Sequence, residues 1–108
     1  IPTPDGIIEE SARSFQLSGA DLRGQSRNKK TAMARQIAMY LMRNLTNLPL
    51  KEIGEEFGGR NHATVLSSIR KVEELTVTAT AGSSNGVVAG MVHGATVRDI
   101  TSNINSKN

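Results

Sequence analysis

Asn61, His62, Ala63 and Thr64 follow one another directly after Gly58-Gly59-Arg60, at the start of a stretch with helical apolar spacing. On the first turn of an exposed helix such residues can reach base edges in a DNA major groove, through hydrogen bonds and, for the alanine methyl, apolar contact with thymine. His62 has no nucleophile or carboxylate at useful sequence spacing beside it, so it reads as a DNA-facing donor and not as a general base.

Two elements must position that turn. Upstream, Leu50, Ile53 and Phe57 recur at i, i+3, i+7; downstream, Val65, Leu66, Ile69, Val72 and Leu75 repeat the helical pattern. Gly58-Gly59 separates them, and two short amphipathic helices joined by a glycine turn make a helix-turn-helix. Asn61 is a natural N-cap for the second helix, whereas Pro49 stands where a serine or threonine cap would be preferred for the first. The plain alternative is a helical hairpin with a polar turn.

Charge distribution favours the DNA reading. The chain has 108 residues, 13 Lys+Arg against 10 Asp+Glu, and a net charge of +3. From Leu22 to Lys51 no acid occurs, while Arg23, Arg27, Lys29, Lys30, Arg35, Arg43 and Lys51 do. Such segregation suits a polyanion, the bland alternative being a solvated basic face. The length allows one small domain, and with aromatics at 3% its core must be aliphatic. The lack of cysteine excludes disulfides and thiolate metal sites, and two distant histidines do not make a zinc site. No apolar run reaches membrane-span length, no secretory signal is present, and an intracellular protein is expected. The chain begins at Ile1, which reads as a piece of something larger.

Thr3-Pro4 reads as N-cap and first helical residue, with Ile7, Ile8, Ala12 and Phe15 as the apolar stripe that follows. Ser18-Gly19-Ala20-Asp21 resembles a capping box for a short turn ending at Gly24. Gln25 to Lys30 has no apolar residue and predicts an exposed loop, suited to phosphate contacts through Lys29 and Lys30 or to an arginine in a minor groove, or else merely solubilising. Thr31 is expected to cap the next helix, running to about Leu45, with Met33, Ile37, Tyr40, Leu41 and Leu45 on its core face and Arg35, Gln36 and Arg43 away from it. Tyr40 is assigned to the core; without interleaved aromatics, single-stranded nucleic acid is a poor ligand. Arg70 and Lys71, two turns into the recognition helix, either reach phosphates or pair with Glu73 and Glu74. Thr76 to Ala95 carries no charged residue, and Gly82, Gly86, Gly90 and Gly94 recur every four residues, which reads as a flexible linker or loose excursion. Val97, Ile100 and Ile104 then predict a short last helix packing back on the core, with Arg98 and Asp99 outside.

Ile53-Gly54-x-x-Phe57-Gly58-Gly59-Arg60-Asn61-His62-Ala63-Thr64-Val65, supported by Ala34-Arg35-Gln36-Ile37-Ala38-Met39-Tyr40-Leu41 and Leu45-Thr46, resembles the C-terminal DNA-binding domain (domain IV) of the bacterial replication initiator family DnaA. The likeness runs from about Pro2 to Leu75, with a weaker echo from Val97 to Ser106. It implies a monomeric module binding a short asymmetric duplex, the DnaA box, at a replication origin in the bacterial cytoplasm. It further implies Arg27 in the minor groove, with Asn61, His62, Ala63 and Thr64 in the major groove. Arg35, Gln36, Arg43, Thr46, Leu50 and Lys71 are implied at the phosphate backbone or neighbouring bases. The family usually has Asp at the place of Asn61, Thr or Ser at the place of Ala63, and often Pro at the place of Lys51, where the lysine adds a phosphate contact. It normally lacks the glycine-rich insertion.

The reading is thus an all-α, Trp-repressor-like helical bundle without catalysis or metal: residues 1–75 a helix-turn-helix domain, 76–95 a linker or insertion, 96–108 a packing helix. No P-loop pattern occurs, so ATP is expected to belong to another part of the parent protein. Beyond DNA, acidic phospholipids and replication regulators are candidate partners. The alternatives are another helix-turn-helix binder, such as a repressor or transposase headpiece, and a basic module docking on protein or membrane.

Overall fold

The first three helices begin where the sequence offers an acceptor for their free N–H groups. Thr3 Oγ1 accepts from Gly6 N at 3.1 Å and Pro4 takes the first helical position, opening α1 (Pro4–Ser14). Ser18 and Asp21 form the reciprocal capping box of α2 (Gly19–Arg23): Asp21 N donates to Ser18 Oγ at 3.2 Å and Ser18 N to Asp21 Oδ2 at 2.9 Å. The computed structural model describes residues 2–81 and 97–105, with residues 75–81 described by their backbone.

The third helix starts earlier than expected. Its N-cap is Asn28, not Thr31: Asn28 Oδ1 accepts from Lys30 N at 2.9 Å and Thr31 N at 3.4 Å. Lys29 and Lys30 therefore form the first turn of α3 (Lys29–Thr46), and the loop shrinks to Gln25–Asn28. Asn47, left-handed at φ 59°, closes α3. The fourth helix, α4 (Leu50–Glu56), starts at Pro49 without a side-chain cap, as proline dictates. The fifth, α5 (His62–Ala81), continues beyond the expected end near Leu75 because Thr76–Ala81 contains no glycine or proline to stop it. The linker expected over 76–95 is thus helical as far as Ala81, and its remainder, with the glycine repeat, lies outside the described residues. A sixth helix, α6, spans 97–105. The described residues hold six helices and no strand.

α3 is central, packed against α1, α2, α4 and α5. Ile7, Ile8, Ala12, Leu22, Ile53, Phe57, Val65, Ile69 and Val72 surround it and make one core, aliphatic except for Phe57, which α6 joins through Ile100 and Ile104. Arg98 and Asp99 stay exposed, as the spacing predicts. On α3 the buried arc is wider than one stripe. Ala34, Ile37, Ala38, Met39, Leu41 and Met42 are fully covered, whereas Met33, Tyr40 and Leu45 are covered only in part. A helix with neighbours on several sides buries more than a single face.

The α4–α5 turn has two steric requirements. Gly54 O accepts N–H groups from Phe57 at 3.1 Å and from Gly59 and Arg60 at 3.0 Å, so the turn folds over that residue; a Cβ there would sit 1.9 Å from Arg60 O. Gly58 and Gly59 take φ of +80° and +83°, a region costly for residues with a Cβ.

Candidate nucleic-acid interface

Asn61, His62, Ala63 and Thr64 are all exposed at the start of α5. Asn61 holds that turn itself, since its Oδ1 accepts from Thr64 N at 2.9 Å and its backbone carbonyl takes the Val65 N–H at 3.2 Å. The amide oxygen is thereby committed to the cap, and the Nδ2 donors remain. Val65, one residue later, is fully buried and anchors the helix to the core.

Along the outer side of α5, Ala63, Leu66, Ser67, Arg70, Lys71 and Glu74 line one open depression. Around the helix, Lys29, Gln36 and Lys71 border a cleft of about 100 Å³ between α3 and α5, floored by Ala32, Met33, Ile37 and Val72. Lys71 borders both, so the structure joins Lys29 and Gln36 of α3 to Ala63 and Arg70 of α5 in one cationic surface. Ser67 belongs to it as well, and the i, i+4, i+8 spacing of Ala63, Ser67 and Lys71 was the available signal for including it. The positive end of α3, with no acid in its first turn, adds to the same potential at Lys29 and Lys30.

Other expected contacts sit elsewhere. Arg43 is exposed and its Nη1 donates to Leu48 O at 2.7 Å, while Thr46 Oγ1 accepts from Leu48 N at 3.3 Å; together they tie down the link from α3 to α4. Leu50 is half-buried at the start of α4 with exposed Lys51 beside it. These four lie at the α3–α4 corner, outside the lining of both depressions. Arg27, Lys29 and Lys30 are exposed. Among the described residues the ion pairs are Arg13–Glu10, Arg23–Asp5 and Arg23–Glu56, and none uses a cation of this surface.

Arg35 corrects an expectation. It does not lie away from the core but is only 8% exposed, with Nε donating to Leu22 O at 2.7 Å and Nη2 to the carbonyls of Asp21, Gly24 and Ser26 at 3.4, 3.2 and 3.2 Å. The carbonyls at the end of the short helix α2 have no intrahelical partner, and a guanidinium carries enough donors in a fixed fork to satisfy them. Arg60, which charge and periodicity leave without a role, sends Nη2 to the same Gly24 O at 2.7 Å and Nη1 to Phe57 O. Burial, and then the Arg60 charge, push the Arg35 guanidinium below its ordinary value; burial does the same at Arg60. Both remain cations at neutral pH.

No group of three or more His, Cys, Asp or Glu among the described residues could hold a metal ion. No helix among them is long and apolar enough to cross a membrane.

The sequence model of the family described as "Bacterial dnaA protein helix-turn-helix" matches residues 4–72. The chain is similar to the Chromosomal replication initiator protein DnaA of Leifsonia xyli subsp. xyli, at 53% identity over 75 residues, 69% of this chain and 16% of that protein. To the protein of the same name from Crocosphaera subtropica it is 51% identical over 73 residues, 68% of this chain and again 16% of the relative. The chain thus spans about 16% of the length of these relatives.

Proposed function

Because the chain belongs to the DnaA family, as its C-terminal helix-turn-helix DNA-binding domain, we propose that it binds duplex DNA at the DnaA box as a monomer, in the cytoplasm, and so supports initiation of chromosome replication. The observation that carries this reading is the exposed first turn of α5, Asn61 to Thr64, beside the cationic surface of Lys29, Gln36, Arg70 and Lys71. In this arrangement α5 enters the major groove, where His62 and Thr64 hydrogen-bond to base edges and the Ala63 methyl meets a thymine methyl. Asn61, with its oxygen in the cap, offers Nδ2 to an acceptor such as a purine N7; bidentate pairing with adenine would cost it the cap. Arg27 enters the adjacent minor groove from its exposed loop. Lys29, Lys30, Gln36, Arg70 and Lys71 hold the phosphates on one side, and Arg43, Thr46, Leu50 and Lys51 at the α3–α4 corner hold the other. Arg35 leaves the phosphate set, since it is buried and its Nε and Nη2 donate to carbonyls. ATP chemistry belongs to the remainder of the parent protein.

A fluorescence titration with box and scrambled duplexes at two salt concentrations tests the proposal. The parent chain binds the box more tightly than the scrambled duplex at both, and His62→Ala or Thr64→Ala each remove about 1–3 kcal/mol of that discrimination. Equal binding of both duplexes by the parent, or variants indistinguishable from it, overturns the assignment.

A further inference from the structure

Arg35 and Arg60 converge on one carbonyl from different parts of the chain. Arg35 reaches Gly24 O from α3 at 3.2 Å, and Arg60 reaches it from the α4–α5 turn at 2.7 Å. Neither has a carboxylate partner among the described ion pairs, so both charges rest against carbonyl dipoles. The contact is broader than these two bonds. Arg23 Nε donates to Glu56 O at 3.2 Å, and Gly58 packs so closely on Arg23 O that a Cβ would lie 2.5 Å from it. The loop after α2 and the turn before α5 are therefore stapled together.

The staple ends one residue before Arg27. Ser26 is held twice, its carbonyl by Arg35 at 3.2 Å and its hydroxyl by the Asn28 N–H at 3.2 Å. Asn28 is fixed in turn as the cap of α3. Arg27 lies between these anchored neighbours with an exposed side chain that joins none of the described ion pairs. Two like charges crowded against one carbonyl are costly, and carbonyls alone do not neutralise them, so the positive potential under the loop is kept. Presenting a long side chain from a fixed loop also lowers the ordering cost of binding.

We infer that Arg35 and Arg60 are positioning residues for Arg27: they lock the minor-groove loop to the helix-turn-helix turn, so that both address the duplex as one rigid body. This rests on the reading above, in which Arg27 contacts DNA.

The test is a double-mutant cycle on the 108-residue chain with Arg27→Ala, Arg60→Gln and the pair. Binding is read by anisotropy on a box duplex and on the same duplex with its A·T-rich end changed to G·C. Arg27→Ala is expected to reduce preference for the A·T end by about tenfold, because a narrow A·T minor groove attracts arginine. Arg60→Gln should reduce it similarly, and the pair should lose no more than either alone. Hydrogen exchange without DNA should show residues 24–28 losing protection in Arg60→Gln while α1 keeps its own. Additive losses, equal loss on both duplexes, or parent-like binding by Arg60→Gln overturn the inference. A parent-like preference in Arg27→Ala marks a different failure, that of the minor-groove reading itself, and the inference falls with it. If Arg60→Gln lacks a cooperative melt, Arg60→Lys replaces it in the same cycle, since it keeps the charge but loses the fork.

Discussion

Adding one methyl group to Gly54 should cost more stability than adding one to Gly59, although only Gly59 has an unusual φ. A Cβ on Gly54 would lie 1.9 Å from Arg60 O and 3.0 Å from Arg60 C, and both are backbone atoms that cannot rotate away. Even a close C–H···O contact needs about 3.3 Å, so the turn must retreat by more than about 1 Å. That retreat breaks the bonds that Gly59 N and Arg60 N make to Gly54 O, each 3.0 Å long. Two hydrogen bonds at about 1 kcal/mol each, with about 1–3 kcal/mol of overpacking, give a loss of about 3–5 kcal/mol. For a domain of this size that is a fall in Tm of at least about 12 °C. Gly59→Ala meets open space and suffers only the left-handed backbone, about 1–2 kcal/mol. Thermal melts by circular dichroism of the two variants and the parent decide the matter. A Gly54→Ala melt within about 5 °C of the parent, or a Gly59→Ala melt below that of Gly54→Ala, refutes the packing argument.

Two further predictions test charge. Lys29→Ala should weaken binding alike on box and scrambled duplexes and reduce the slope of log K against log salt by about 0.9, one phosphate contact, while raising stability slightly because a lysine at the positive end of α3 is unfavourable; an unchanged slope returns Lys29 to a solvated surface. Asp21 accepts from the Ser18 N–H, and that bond, followed by the Ser18 hydroxyl, holds its carboxyl below the ordinary value of 3.8. Its stabilising effect is therefore full above pH 3.8 and lost as pH falls through the lower folded-state value, so denaturant melts of Asp21→Asn and the parent should differ at pH 6 and converge in strong acid. A gap independent of pH removes the carboxylate from the capping box.

The helical order and the turn were legible because local chemistry and tertiary packing agree there. Thr3-Pro4, Ser18-x-x-Asp21 and Gly58-Gly59 each do in three dimensions what their residue types favour in isolation. The start of α3 was misplaced because Lys29 and Lys30 give no apolar rhythm, so the first polar residue next to the pattern, Thr31, looked like the cap while Asn28 supplies the acceptor. The α3 core face came out too narrow for a similar reason, since periodicity describes one packing surface and α3 has four neighbouring helices.

Cations are where a one-dimensional reading has least purchase, and the structure shows the rule that sorts them. Arg35 and Arg60 donate to carbonyls of the α2 end, the following loop and the α4–α5 turn, and Arg23 divides its donors between Glu56 O and the carboxylates of Asp5 and Glu56. Arg13, Arg27, Lys29, Lys30, Arg43, Lys51, Arg70, Lys71 and Arg98 stay exposed. Net charge cannot separate the two sets, because a buried guanidinium counts the same as an exposed ammonium. Hydrogen-bond demand can: helices and turns that end inside the fold leave carbonyls needing several donors from one point, and arginine alone supplies them in a planar fork. Of the described cations, the three that are buried or half-buried are all arginine, whereas all four lysines are exposed. Substituting lysine for arginine should therefore be tolerated at Arg70 and costly to stability at Arg35, where Nε and Nη2 together hold four carbonyls that one ammonium cannot reach. Thermal melts of Arg35→Lys and Arg70→Lys test this, and equal shifts would mean that charge, not the fork, is what the site at Arg35 requires.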